Sequence, residues 1–274
     1  MTTTQQSSAT QTGPEDKAVE VNGLKLHYLD WGGSGTPVVV LHGVGSQGHT
    51  WDTFAREAKD TYHVYALDQR GFGDSDHAPD ANYGTTAFAN DLKGFVDALG
   101  LDKFQLIGHS MGGHNSMAFV ARNPGRASKL IVVDLAPGSR SGAGAASQQN
   151  EFDSVEELVK IQAAANPQMP LDQVQLLAET NTKQLANGKL GWKRDAALPA
   201  SWQAEDLWEE VAKIDVPVLV MRGSITRAFS AEDAERMTKT IPNSTFIEFE
   251  GAGHSIQADQ PAEFNAAALK FLKG

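Results

Sequence analysis

The chain has 274 residues, of which 41% are hydrophobic, enough to bury a core as one large domain with room for an inserted subdomain. Its net charge is −11 and no run of Lys and Arg exceeds two residues, which excludes nucleic acid and anionic membranes as main partners. The absence of cysteine excludes disulfides, thiol nucleophiles and zinc–thiolate sites.

Residues 1–16 are predicted to form a disordered tail, because their Thr, Ser and Gln cannot bury enough surface to become ordered. The tail lacks the basic and apolar regions of a signal peptide, and nowhere do 18 apolar residues run together as in a membrane span. The lack of cysteine fits a reducing compartment. We therefore expect a cytoplasmic protein.

Eight segments are predicted to be strands. The first two, at 18–21 and 24–31, are joined by Asn22-Gly23, a strong signal for a β-hairpin. The other six are 37–43, 63–68, 104–110, 129–136, 216–223 and 244–251. Several of these are continuous apolar runs, which are typical of strands covered by helices on both faces of a parallel sheet.

Helical patterns fill most of the gaps between these strands, and they cover residues 50–59, 85–98, 111–122, 230–239 and 261–272. The last pattern opens with Pro261 in the favoured first turn. This alternation predicts an α/β fold in which a mostly parallel sheet of eight strands begins with an antiparallel pair.

Residues 137–213 interrupt the alternation, because they contain no strand candidate. A capping box at Ser154–Glu157 and the pattern over 171–185 predict two helices there. We predict a core of residues 17–136 and 214–274, with 137–213 as an inserted helical cap. Open α/β sheets bind ligands at the C-terminal edge of their strands, so the cap is expected over that edge.

Two glycine motifs are candidates for a functional loop. Gly43-x-Gly45-x-x-Gly48 follows a strand, and Asp68 lies twenty residues later, which is the pattern of a dinucleotide-binding loop. The second motif is G-x-S-x-G around Ser110, again between a strand and a helix, where glycines allow the sharp turn that exposes a serine.

A serine becomes a nucleophile only when a base accepts its proton. His254, in the loop after the last strand, is the candidate base. Its position after Ser110 in the chain matches the Ser-before-His order of the elbow fold.

With these motifs the sequence resembles the α/β-hydrolase superfamily over residues 18–272. The motifs that carry the resemblance are His42-Gly43, the Asp68–Ser75 loop, the Ser110 elbow and Gly253-His254. The resemblance implies that the backbone amides of Val44 and Met111 form an oxyanion hole. A dinucleotide-binding fold would leave Ser110 and His254 unexplained, and it would not begin with an antiparallel hairpin.

The carboxylate that orients the histidine is displaced from its common position. Many superfamily members carry it after the seventh strand as Gly-x-x-Asp, but here Gly223 is followed by Thr226 at that place. Asp134, at the end of the sixth strand, is the favoured substitute, because some branches place the acid there. Glu232 and Asp233 are expected to interact with the dipole of the helix they begin.

The predicted function is a serine hydrolase of small to medium carboxylic esters or lactones, without a cofactor or a metal. Ser110, His254 and Asp134 form the predicted triad. His42, His109 and Trp192 are predicted substrate-binding residues, with packing as the alternative for Trp192. The expected partner is a small-molecule ester or lactone, and the oligomeric state is left open.

Three other functions compete with this prediction. A carbon–carbon hydrolase of ring-cleavage products would use the same triad, although Ser255 and Thr226 differ from the usual residues of that group. A cofactor-free oxygenase could use a His-Asp pair with the acid after strand six. A ligand-sensing member with slow turnover would retain the triad. A serine at position 110, rather than an aspartate, argues against epoxide hydrolases and haloalkane dehalogenases.

Overall fold

The computed structural model describes residues 13–138, 149–198 and 202–274. Its strands are, in chain order, β1 Glu15–Val21, β2 Leu24–Asp30, β3 Thr36–Leu41, β4 Tyr62–Leu67, β5 Tyr83–Gly84, β6 Phe104–His109, β7 Ala127–Val133, β8 Glu151–Phe152, β9 Thr182–Gln184, β10 Leu190–Trp192, β11 Trp202–Gln203, β12 Val218–Gly223 and β13 Ser244–Phe249. Eight of them form the central sheet, in the order β1-β2-β4-β3-β6-β7-β12-β13. The pairs β1–β2 and β2–β4 are antiparallel, and the remaining pairs are parallel.

The helices are α1 Asp52–Ala58, α2 Thr85–Ala98, α3 Met111–Arg122, α4 Val155–Ala165, α5 Leu171–Thr180, α6 Trp208–Val211, α7 Ala231–Thr240, α8 Ile256–Asp259 and α9 Pro261–Lys273. A 3-10 turn over Gly48–Trp51 precedes α1. Within the described ranges, none of the helices combines the length and apolar character needed to cross a lipid bilayer.

Helices cover both faces of the central sheet. In β3, Val38 and Val40 belong to the cluster that contains residues of α1 and α9, whereas Val39 and Leu41 belong to the cluster that contains residues of α2, α3 and α7. Successive side chains of a strand point to opposite faces, so a continuous apolar run serves two cores. The predicted α/β-hydrolase fold, with a mostly parallel sheet of eight strands, is confirmed.

The 137–213 interval contains short strands that the sequence analysis missed. β8, β10 and β9 form a three-stranded antiparallel sheet, and β11 pairs with β5. The helix expected over 171–185 ends at Thr180, and the chain then forms a hairpin around Asn187-Gly188. Gly188 has a φ of 82°, a conformation that favours glycine, and the Leu185 N–H donates to the Lys189 carbonyl at 2.8 Å.

The predicted tail is too long at its C-terminal end. Glu15 and Asp16 belong to β1, and the Lys17 ammonium contacts the carboxylates of Glu15 at 2.8 Å and Asp30 at 2.7 Å. The backbone N–H and C=O groups of these residues form hydrogen bonds with β2, and this pairing orders a segment that its composition predicted to be disordered. Residues 1–12 of the predicted tail, and 139–148 of the predicted cap, lie outside the described residues. The division into core and cap stays a prediction.

Candidate active site

Ser110 occupies a sharp turn between β6 and α3. Its φ and ψ are 51° and −120°, a conformation that costs a residue with a side chain of the order of 1–3 kcal/mol. Two glycines make the turn possible: a Cβ at Gly108 would lie 2.4 Å from the Gly112 carbonyl oxygen, and one at Gly112 would lie 2.4 Å from the Leu41 carbonyl oxygen. The strand, turn and helix expected from the G-x-S-x-G motif are therefore present.

The structure brings Ser110, His254 and Asp134 together. His254 Nε2 lies 2.9 Å from Ser110 Oγ, and His254 Nδ1 lies 2.7 Å from Asp134 Oδ2. Asp134 is fully buried, whereas the His254 side chain is 39% exposed. The imidazole is thus placed between a hydroxyl that can give up a proton and a carboxylate that accepts its Nδ1–H.

Asp134 is held in place by donors on the neighbouring strand and loop. The N–H of Gly223 donates to Oδ1 at 2.9 Å, and the Thr226 hydroxyl donates to Oδ2 at 2.6 Å. Three hydrogen bonds, including the one from His254, compensate the desolvation of this buried carboxylate. The residue at the common acid position is therefore a hydrogen-bond donor to the acid, a relationship that sequence analysis missed.

The two amides expected at an oxyanion hole belong to residues that adjoin the Ser110 turn or the loop packed against it. Met111 begins α3, and Val44 follows Gly43, which approaches the turn so closely that a Cβ there would lie 3.1 Å from Ser110 Cβ. Across the described residues, neither the Val44 nor the Met111 N–H donates to a protein acceptor. The first N–H groups of a helix have no partner inside it, so Met111 can donate to an anion.

His42 is placed differently from the prediction. Its ring is fully buried, with Nδ1 donating to the Gly43 carbonyl at 2.9 Å and Nε2 accepting from the Gln69 N–H at 3.0 Å. Burial lowers the pKa of His42, which keeps the ring neutral. Both nitrogens are used within the protein, so His42 supports the Val44 loop and does not reach a substrate.

A second hydrogen-bond chain supports the same loop. The Gln69 side-chain amide donates to the His42 carbonyl at 2.7 Å, and the Asn115 amide donates to Gln69 Oε1 at 2.8 Å. All three residues are buried. Sequence analysis had no signal for this role, because the partners lie 27 and 46 residues apart in the chain.

The loop that carries His254 is held on two sides. His109 Nε2 donates to the His254 carbonyl at 2.8 Å, and the two rings lie 4.8 Å apart. Burial, together with the charge of His254, holds the pKa of His109 well below its usual value. On the other side, the Gly253 N–H donates to Asp259 Oδ2 at 2.8 Å. His109 thus supports the backbone of the His254 loop, and its predicted role in binding a substrate stays a prediction.

Trp192 contacts residues of the 137–213 interval. Its ring packs edge-on against Phe152 at 5.1 Å, and its Nε1 donates to the Gln149 carbonyl at 3.2 Å. Arg194 lies over the same ring at 5.8 Å. The role of Trp192 in binding a substrate stays a prediction.

One group of side chains has the composition of a metal site. Ligand atoms of His27, Asp68 and Asp74 lie within 4.8 Å of one another. Asp68, however, already accepts hydrogen bonds from His27 Nδ1 at 2.8 Å and from the Gly48 N–H at 2.6 Å. Asp68 lies twenty residues after Gly48, the spacing that suggested a ribose-binding acid. In the structure this carboxylate holds the glycine loop in place by accepting from the Gly48 N–H.

Comparison with known proteins identifies the family. The sequence matches the family model described as "alpha/beta hydrolase fold" over residues 36–261. The chain belongs to the α/β-hydrolase family. A solved structure of E-2-(acetamidomethylene)succinate hydrolase superimposes on this α/β-hydrolase with a TM-score of 0.87 and 24% identity, covering 95% of this chain and 100% of the other.

Relatives of this α/β-hydrolase are hydrolases of several kinds. N-formylmaleamate deformylase of Pseudomonas putida is 30% identical over 93% of this chain and 95% of its own length. Esterase Rv0045c of Mycobacterium tuberculosis is 26% identical over 96% and 90%. 2-Hydroxy-6-oxononadienedioate/2-hydroxy-6-oxononatrienedioate hydrolase 1 of Dechloromonas aromatica is 28% identical over 91% of each chain. The hydrolase class follows from these relationships, while the bond cleaved differs among the relatives.

Proposed function

We propose that the protein hydrolyses small to medium carboxylic esters or lactones through an acyl-enzyme intermediate. The observation that carries this proposal is the continuous contact from Ser110 Oγ through the His254 ring to Asp134 Oδ2, over 2.9 Å and 2.7 Å. A serine beside a histidine that a carboxylate orients is the arrangement used for acyl transfer on several unrelated folds.

Each residue has a separate task in the proposed reaction. Ser110 Oγ attacks the acyl carbon while His254 Nε2 accepts its proton, and Asp134 stabilises the imidazolium that forms. The amides of Val44 and Met111 donate to the oxyanion of the tetrahedral intermediate. His254 then protonates the leaving alcohol, and a water molecule, activated by the same imidazole, releases the acid.

We also propose that residues 137–213 act as a cap over the site. Two contacts support this role: the Asp195 N–H donates to the Gly71 carbonyl at 2.8 Å, and Leu198 packs in one cluster with Met111, the residue after Ser110. A cover at this edge excludes water and shapes the acyl pocket.

A panel of p-nitrophenyl esters and lactones of different sizes tests the proposal. The intact protein is expected to release product through many turnovers, and Ser110→Ala is expected to release none while keeping the wild-type circular dichroism spectrum. A single burst followed by a stalled adduct would favour a ligand sensor. Turnover that persists in Ser110→Ala would overturn the assignment of the nucleophile.

Cleavage of an amide or carbon–carbon bond is the second candidate. The observation that favours it is the set of relatives, which includes a deformylase at 30% identity and a carbon–carbon hydrolase at 28%. Both reactions can use the same serine, histidine and oxyanion donors. A comparison of kcat/KM for matched ester, N-formyl amide and vinylogous diketone substrates decides between the candidates.

A further inference from the structure

Arg194 is an arginine without a carboxylate partner. Its side chain is half-buried, and its guanidinium lies over the ring of Trp192 at 5.8 Å. The other arginines that are buried or half-buried in the described residues each donate to a carboxylate: Arg70 to Asp91, Arg122 to Glu205 and Glu210, Arg126 to Asp97, and Arg222 to Glu248. Arg194 therefore differs from every comparable arginine in the described residues.

The segments outside the described residues cannot supply the missing partner. Residues 1–12, 139–148 and 199–201 contain neither Asp nor Glu. Burial lowers the pKa of Arg194, because partial removal from water disfavours the charged form. A guanidinium nevertheless stays cationic at neutral pH, so the protein retains a desolvated positive charge that no acid of the chain neutralises.

The residues on either side of Arg194 make other contacts. The Lys193 ammonium contacts the partly exposed Asp74 carboxylate at 2.6 Å and lines a surface pocket of about 310 Å³. The Asp195 carboxylate accepts from the Tyr83 hydroxyl at 2.5 Å. The Arg194 guanidinium shares neither of these contacts and lies over the ring of Trp192, 5.8 Å from its centroid.

The segment that carries Arg194 adjoins the candidate active site. The Asp195 N–H is bonded to the carbonyl of Gly71 at 2.8 Å, and a turn brings the Leu198 N–H to the Asp195 carbonyl at 3.2 Å. Leu198 belongs to the same hydrophobic cluster as Met111, whose amide is one of the two proposed oxyanion donors. Arg194 thus lies in the chain segment that leads to this cluster.

We propose that Arg194 binds a carboxylate of the substrate, so that the preferred substrates carry an anionic group in addition to the bond that is cleaved. This inference rests on the proposed function, because it concerns the same site. The guanidinium presents parallel N–H donors that match the two oxygens of a carboxylate, and partial desolvation strengthens the pairing. The Trp192 ring holds the guanidinium from the side by a cation–π contact.

Binding to an inactive protein tests the site without relying on turnover. In Ser110→Ala, calorimetric titration with monomethyl adipate is compared with titration by the neutral dimethyl ester. We expect the monoanion to bind more tightly, and Ser110→Ala/Arg194→Gln to lose about 10- to 100-fold in affinity for the monoanion while its affinity for the diester is unchanged. Arg194→Lys is expected to recover only part of the loss, because an ammonium cannot pair through two N–H groups.

Lys193→Gln is the matched control, because it removes the same charge one residue away, from an ammonium that pairs with Asp74. In the Ser110→Ala background it is expected to bind the monoanion like Ser110→Ala alone. An equal loss in both variants would show that only net charge matters and would overturn the proposal, as would equal binding of the monoanion with and without Arg194. Failure of the wild-type protein to turn over any ester, with these binding differences intact, would count against the proposed hydrolysis and not against the Arg194 site.

Discussion

Thr226 donates its hydroxyl to the same oxygen of Asp134, Oδ2, that accepts the Nδ1–H of His254, at 2.6 Å and 2.7 Å respectively. The side chain at position 226 and the histidine ring therefore share one carboxylate oxygen, although residue 226 is not an acid. The residues that follow β7 and β12 meet at this oxygen, and in this chain the acid follows β7.

Asp134→Asn is expected to lower kcat/KM by roughly 10³- to 10⁴-fold, because an amide neither fixes the correct tautomer of His254 nor stabilises the imidazolium. The measurement is steady-state hydrolysis of the best ester in the panel, together with a thermal unfolding curve that checks folding. Activity near that of the wild type would contradict the assignment of Asp134.

Thr226→Ala is expected to have a much smaller effect, a loss of less than about tenfold in kcat/KM, since Gly223 and His254 still donate to the carboxylate. Thr226→Ser keeps the hydroxyl and serves as the control. A loss as large as that of Asp134→Asn would mean that Thr226 itself takes part in the reaction.

The double variant Asp134→Asn/Thr226→Asp moves the acid to the common position of the family. We expect it to be at least about tenfold more active than Asp134→Asn, because residue 226 already lies beside the oxygen that the His254 ring contacts. Thr226→Asn in the same background provides a control of equal shape without the charge. Equal activity of the two double variants would show that position 226 cannot reach the ring.

His109 is expected to act as a positioning residue for His254 through its hydrogen bond to the His254 carbonyl. His109→Phe keeps an aromatic ring but removes the donor, so kcat should fall by about tenfold with little change in KM. His109→Gln, which can still donate, should retain more activity. Equal kcat values for the two variants would argue that only the packing of the ring matters.

His114 should make the stability of the protein depend on pH. Burial lowers its pKa from 6.5 to about 4, so between these values the unfolded chain binds a proton that the folded protein does not. The stabilisation is therefore complete above pH 6.5 and is lost progressively as the pH falls towards 4, by about 1.4 kcal/mol per pH unit.

Urea unfolding at pH 7.5 and pH 5 measures this dependence. Wild-type protein should lose about 2 kcal/mol more of its unfolding free energy between the two values than His114→Phe, which retains the ring next to Trp202. Identical pH dependences would show that another group controls acid stability.

The sequence allowed correct prediction of those features that depend on residues close together in the chain. The Ser110 elbow is an example, since three glycines and a serine within six residues specify the sharp turn between β6 and α3. The hairpin at Asn187-Gly188 carried an equally local signal that was missed, because the helical pattern before it was extended too far. The role of His42 could not be predicted, since its partner Gln69 lies 27 residues away.

By itself the sequence determined the α/β alternation and pointed to Ser110 and His254 as candidate nucleophile and base, because strand periodicity and turn chemistry act over a few residues. Only the tertiary structure decided which carboxylate meets His254, 120 residues distant in the chain, and that Thr226 supports that acid. It also left Arg194 without a carboxylate partner while pairing the other buried and half-buried arginines of the described residues with acids. Hydrogen bonds and ion pairs depend on distances of about 3 Å, and such distances between remote residues exist only after the sheet has assembled.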